Sequence, residues 1–209
     1  MNLIRQLLLL SLLLFSATAV LAGYDEGIEY KKLAAPITTS DPGKVEVMEL
    51  FWYGCPHCYH FEPKLQAWLK TKPANVVFVR VPAVFNKRWA FHAKVFYTAQ
   101  ILGIEEKMTP VIFNAMHVKH QKLASVDEVE ALFVANGVSA ADFNKAFNSF
   151  AVDAKVRRAT DLSRRSGIDG VPSIIINGKY MTTGSLAGGN MGMLRVTDYL
   201  IKKESASSK

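Results

Sequence analysis

Polar and apolar positions alternate and then merge along "KVEVMELFWY", residues 44–53. Alternation that turns into a continuous apolar run predicts a strand buried on both faces. At "GCPHCYHFEPKLQAWLK" the spacing becomes helical, with Phe61, Leu65, Trp68 and Leu69 on one side. Strand, sharp turn and helix therefore meet within a few residues. "NVVFVRVPAV", residues 75–84, predicts a second strand. Helical spacing then persists, first over 88–102 and again over 110–118. Ser125 and Glu128 form a capping box ahead of Val129, Leu132 and Phe133, and Asn136-Gly137 ends that helix. Ser139 and Asp142 open the next, which carries Phe143, Phe147 and Phe150, and a further helix over 152–166 ends at Gly167. "GVPSIIINGKYMTTG" returns to strands, with Asn177-Gly178 signalling a two-residue hairpin turn. A closing helix over 191–203 places Met193, Val196 and Leu200 at helical spacing.

Two β-rich pieces thus flank one helical block, and neither piece can form a stable sheet alone. The pattern predicts an α/β fold in which one sheet domain is interrupted by a helical insertion. The expected boundaries are 23–85 for the first part, 86–161 for the insertion and 162–209 for the second part. Residues 23–44, with Pro36, Pro42 and Gly43, are expected to be an irregular lead-in.

The first 22 residues hold one cation, Arg5, then a leucine run, then Val20 and Ala22 where cleavage is expected. This is the pattern of a signal peptide. The rival reading, a membrane anchor, is weakened because the apolar run is shorter than the ~20 residues a spanning helix needs. Cleavage leaves 187 residues and lowers the formal net charge from +7 to +6. The densest basic group, Arg157, Arg158, Arg164 and Arg165, has helical spacing and reads as a solvated face rather than a polyanion site. No nucleic-acid partner is expected of an exported chain, and a monomer is expected.

Export changes the meaning of the cysteines, because disulfides persist outside the cytosol. The chain has two, Cys55 and Cys58, and a staple between them would close a very short loop. Such a loop adds little stability, so redox chemistry is the better reading. If the helix starts at Pro56, Cys55 is its N-cap and Pro56 its first residue, where a missing N–H costs nothing. The Cys55 sulfur then faces the free N–H groups and the positive end of the helix, both of which favour thiolate. His57 can donate to that thiolate or stand near it as a cation. A stabilised thiolate makes the disulfide a stronger oxidant. "CPHCYH" also offers Cys55, His57, Cys58 and His60 as metal ligands, but they are too close in sequence to surround one ion tetrahedrally. Val171-Pro172 precedes a strand, where proline is tolerated at the first residue, and X-Pro takes the cis form at modest cost.

"CPHCY" and "GVPSIIINGKY", with a helical block between them that contains "NSF" at 148–150, resemble the DsbA family of periplasmic thiol:disulfide oxidases. The likeness covers residues 24–205 and implies a thioredoxin fold. In that family a depressed cysteine pKa and an oxidising disulfide are known properties. The resemblance implies that Cys55 is the exposed nucleophile of a redox-active disulfide with Cys58, and that His57 tunes it. It implies a cis Pro172 against the disulfide, with Val171 offering backbone bonds to an extended substrate. Glu49 matches a carboxylate beneath the site that can assist proton traffic to Cys58, a reading its apolar neighbours favour. Glu62 would belong to the same local charge network, although a helix-surface charge is the commoner reading of such a residue, and Arg80 stands near a position where the family often has a lysine. The implied partners are unfolded exported proteins with paired thiols and a membrane quinone-linked oxidase of the DsbB type, with a periplasmic location and no bound cofactor or metal. The alternatives are a disulfide isomerase or reductase on the same fold, or a Cys/His metal-binding protein. His60, His92, His117 and His120 are expected to be incidental, and Trp52, Trp68 and Trp89 to be packing residues or part of an apolar substrate surface.

Overall fold

A computed structural model describes residues 23–207, so the segment read as a signal peptide lies outside the described residues. The order is β1 (Lys31–Lys32), β2 (Val45–Phe51), α1 (Pro56–Leu69), β3 (Val76–Pro82), α2 (Lys87–Ile101), α3 (Glu105–His117), α4 (Val126–Val134), α5 (Ala140–Phe147), α6 (Phe150–Arg165), β4 (Ser173–Ile176), β5 (Tyr180–Thr183) and α7 (Asn190–Ser207). The strands make one mixed sheet in the order β1-β5-β4-β2-β3. β2 and β3 are parallel, which requires a crossover, and α1 supplies it. β4 lies antiparallel to β2 and to β5.

Every residue of β2 is buried, as a continuous run at the sheet centre demands. Its two carboxylates are buried with the rest, and Glu46 is satisfied by the backbone N–H and hydroxyl of Ser40 at 2.8 and 2.6 Å. Alternation splits the core into two layers. Val47, Phe61, Leu65, Ile174, Ile176, Val196 and Leu200 pack on the α1/α7 side. Leu50, Phe96, Phe113, Phe133, Phe143 and Ile175 pack on the side of the helices between β3 and β4. α1 runs through Pro63 to Leu69, and the Trp68 indole N–H ties it to Asp198 of α7 at 2.8 Å.

Three details differ from the sequence pattern. The lead-in is not wholly irregular, because β1 pairs Lys31 with Met181 and Lys32 with Tyr180, and Tyr30 and Ile37 are buried. α3 begins at Glu105, with Pro110 inside it rather than at its start; Glu105 and Glu106 suit the positive end of the helix dipole. Phe150 does not belong to the Phe143 and Phe147 face. The Ser149 hydroxyl accepts from the Val152 N–H and starts a new helix, leaving Phe150 79% exposed.

Candidate active site

Cys55 sits where the extended chain leaving β2 turns into α1. It is the N-cap, with φ −89° and ψ 117°, and Pro56 is the first helical residue. No side chain caps the helix, so its first N–H groups are left for the sulfur. The Cys55 pKa falls from 9.0 to about 6. The largest cause is a hydrogen bond from the Cys58 thiol, which outweighs burial; the N–H groups of Cys58 and His57 and the charge of His57 add to it. His57 is exposed beside the sulfur, and its charge contributes less than the Cys58 thiol.

Cys58, 1% exposed, lies in the first turn of α1. Burial pushes its pKa well up, and the neighbouring Cys55 sulfur and Glu49 push it further. Two thiols three residues apart are thereby driven in opposite directions, which marks one as the stable thiolate and the other as the proton holder. Across 116 residues of sequence, Val171 approaches the pair: the Cys55 Sγ lies 3.3 Å from the Val171 carbonyl oxygen, to which it donates only in its protonated form. The Val171-Pro172 peptide is cis, and Pro172 leads directly into β4. A groove of about 410 Å³ is lined by His57, Val171, Pro172, Met181 and Leu186.

Glu49 lies on β2 opposite Arg80 of β3 and faces the α1 side with Val45 and Val47. Arg80 donates from Nε to Glu49 at 2.7 Å and from Nη2 to Glu62 at 2.8 Å. Its guanidinium also stands over the Phe51 ring, 5.3 Å from the centroid. One cation between two carboxylates in a buried setting cannot fully compensate both. Burial dominates at Glu49, and its pKa rises to about 7. Arg80 and Glu62 also line a separate cleft of about 910 Å³ with Glu105, so the buried carboxylate is one ion pair away from open space.

The structure adds residues that sequence spacing did not single out. Trp52 stacks on Trp89, centroids 4.4 Å apart and planes 9° apart. The Trp52 indole N–H donates to His92 Nδ1 at 2.9 Å, so His92 Nε2 carries the proton and donates to the Leu123 carbonyl at 3.2 Å. His92 is buried and its pKa falls to about 4, chiefly through that burial. His117 Nε2 lies 2.7 Å from the Tyr53 carbonyl, and its ring stacks on Tyr59. Neither histidine is the incidental surface residue expected of it. From helices that follow β3, His117 holds the Tyr53 backbone and His92 holds the Trp52 side chain, both just before the cysteines.

A family model described as a DSBA-like thioredoxin domain matches residues 76–190. The chain is 41% identical over 208 residues to the thiol:disulfide interchange protein DsbA of Pseudomonas aeruginosa, covering 100% of this chain and 99% of that protein. It is 42% identical over 179 residues to the protein of the same name from Burkholderia cepacia, covering 85% and 84%. The crystal structure of Pseudomonas aeruginosa DsbA superposes with a TM-score of 0.85 at 42% identity, covering 88% of this chain and 96% of that one. For DsbA from Xylella fastidiosa the TM-score is 0.82 at 34% identity, with coverage of 88% and 98%.

Proposed function

The chain belongs to the DsbA family of thioredoxin-fold thiol:disulfide oxidoreductases, and from that premise we propose that it donates a Cys55–Cys58 disulfide to exported polypeptides with paired thiols. A substrate thiolate attacks Cys55 Sγ and expels Cys58, giving a mixed disulfide. The second substrate thiolate then attacks the substrate sulfur and expels Cys55. The substrate loses two electrons and gains a disulfide, while the enzyme is left as the dithiol. The observation that carries the reading is the opposed pair of thiols: Cys55 is held as a thiolate and is a good leaving group, whereas Cys58 holds its proton.

The remaining roles follow from position. His57 adds a modest share to the stabilisation of Cys55. Val171 and Pro172 present the edge along which an extended substrate lies, beside the groove. Glu49, with its pKa near neutrality, supplies the proton that Cys58 takes up when it leaves. The division of the chain into a sheet domain, 23–85 with 162–209, and an inserted helical block, 86–161, belongs to the same proposal, because that block carries Trp89, His92 and His117. We place the enzyme in the periplasm, where an oxidase of the DsbB type in the membrane would restore the disulfide.

Equilibration of the Cys55/Cys58 pair with glutathione tests the direction of transfer. A potential well above the roughly −270 mV of thioredoxin, with stoichiometric oxidation of a reduced dithiol peptide, is the expected result. A potential at or below that of thioredoxin would make the protein a reductase.

A further inference from the structure

A second cavity, of about 630 Å³, opens between α6 and the loop joining β3 to α2. Its apolar walls are Val84, Phe85 and Ile168, and its charged residues are Arg157, Arg164 and Asp161. Phe85 is 45% exposed, and its ring packs against Trp89 beyond the stacked Trp52–Trp89 pair, with centroids 4.8 Å apart and planes tilted by 41°. Aromatic surface therefore extends from beside the cysteines into this cavity.

The charges do not cancel. Asp161 is already shared, with Arg164 Nη2 at 2.8 Å and Arg165 Nε at 3.6 Å. Arg157 makes no ion pair among the described residues; its guanidinium stands 5.4 Å from the centroid of the exposed Phe150 ring. The cavity thus joins an apolar wall to one cation that lacks a carboxylate. The Ser163 hydroxyl is committed, accepting from the Val84 N–H at 3.0 Å and donating to the Ala159 carbonyl at 2.8 Å, so it holds the cavity together rather than offering a further site.

Position gives the cavity a use. Ile168 is three residues before Val171, whose carbonyl lies against Cys55. Three residues span at most about 11 Å between Cα atoms, and Arg157 stands eight residues before the end of α6 at Arg165, about 12 Å further along its axis, so an extended substrate passing Val171 reaches the arginine in about five to seven residues. We propose that this cavity is a specificity subsite for the substrate polypeptide, taking an acidic side chain about five to seven residues from the cysteine being oxidised and pairing it with Arg157. The inference rests on the oxidase reading, since the occupant is the same extended chain that lies along Val171.

Peptides with a central dithiol, and Glu or Lys six residues before it or six residues after it, test this. Oxidation rates by the full enzyme at low ionic strength give a Glu-to-Lys ratio for each position. The wild type is expected to favour Glu by about fivefold at one of the two positions, the scale of an exposed ion pair gained and a like-charge contact avoided. In Arg157→Glu, a change at an exposed side chain, that ratio is expected to fall to one or below. Ratios of one at both positions, or a preference that survives Arg157→Glu unchanged, would overturn the proposal. Binding of the same peptides with both cysteines replaced by serine, read from tryptophan fluorescence, gives the same ratio without electron transfer. It separates the two ideas: failure to oxidise any peptide refutes the oxidase, while the binding ratio still decides the subsite. Cosedimentation with phosphatidylglycerol vesicles that is lost in Arg157→Glu, together with ratios of one, would assign the arginine to a lipid surface instead.

Discussion

At the scale of single residues, the ranking of influences on Cys55 decides what mutation should do. The Cys58 thiol is the largest, and the charge of His57 comes after the backbone N–H groups. Replacing Cys58 by alanine is therefore expected to raise the Cys55 pKa from about 6 by roughly one pH unit or more, and replacing His57 by alanine to raise it by less. Thiolate absorbance followed against pH in the reduced proteins gives both values. A larger rise in His57→Ala than in Cys58→Ala would reverse the ranking and make the imidazole the main tuning group. The residues that create this contrast were legible in the sequence because they are local: the N-cap, Pro56 and both sulfurs fall within four positions. The support around them was not. Trp52 meets His92 across 40 residues and His117 meets Tyr53 across 64, and no spacing rule links positions that far apart.

At the scale of elements, the hairpin and the lead-in depend on one glycine. Asn177 and Gly178 both have positive φ, 51° and 63°, the conformation a tight hairpin turn needs. The Gly178 carbonyl accepts the Ile37 N–H at 2.8 Å, and a Cβ on Gly178 would run into the Ile37 backbone. Gly178→Ala is expected to cost about 2–4 kcal/mol, through positive φ and the displaced lead-in together. Asn177→Gly relaxes φ but removes the hydrogen bond from Asn177 Nδ2 to the buried Glu204 carboxylate at 2.6 Å, so it is expected to cost about 1–2 kcal/mol, less than Gly178→Ala. Urea unfolding of the two variants separates a turn that merely tolerates glycine from one that requires it; equal midpoints would show that the lead-in is not held there. The same contact explains why β1 was hidden in the sequence. A two-residue edge strand of consecutive lysines has no hydrophobic period to read, and its place is set by partners on β5. Strands β2 to β5 and α1 were legible because burial on a two-faced sheet imposes its own period. Phe150 was misplaced because an aromatic three residues after Phe147 fits a helical face until Ser149 starts a new helix.

At the scale of the whole molecule, the Cys55 thiolate couples redox state to folding. In the folded, reduced chain the Cys55 pKa is about 6, below the 9.0 of an ordinary thiol. Between those values the unfolded reduced chain binds more protons than the folded one, so stability rises with pH through this window and is lost as pH falls through 6. The oxidised chain has no thiol at this position and lacks the effect. His92 and Glu49 are present in both states, so to first order their own titrations cancel when the two forms are compared at one pH; Cys58, whose folded pKa is raised, opposes the rise only near pH 9, by about 0.4 kcal/mol. The stability of the reduced protein minus that of the oxidised protein should therefore grow by about 3 kcal/mol between pH 6 and pH 9. Near pH 7 the thiolate contributes only about 1.4 kcal/mol, which corresponds to about 30 mV, because most of the window lies above that pH. Parallel urea titrations of the two redox forms across this range measure the difference directly. A difference independent of pH would mean that Cys55 titrates as it does in an unfolded chain, and the fold would then add nothing to the oxidising strength of its disulfide.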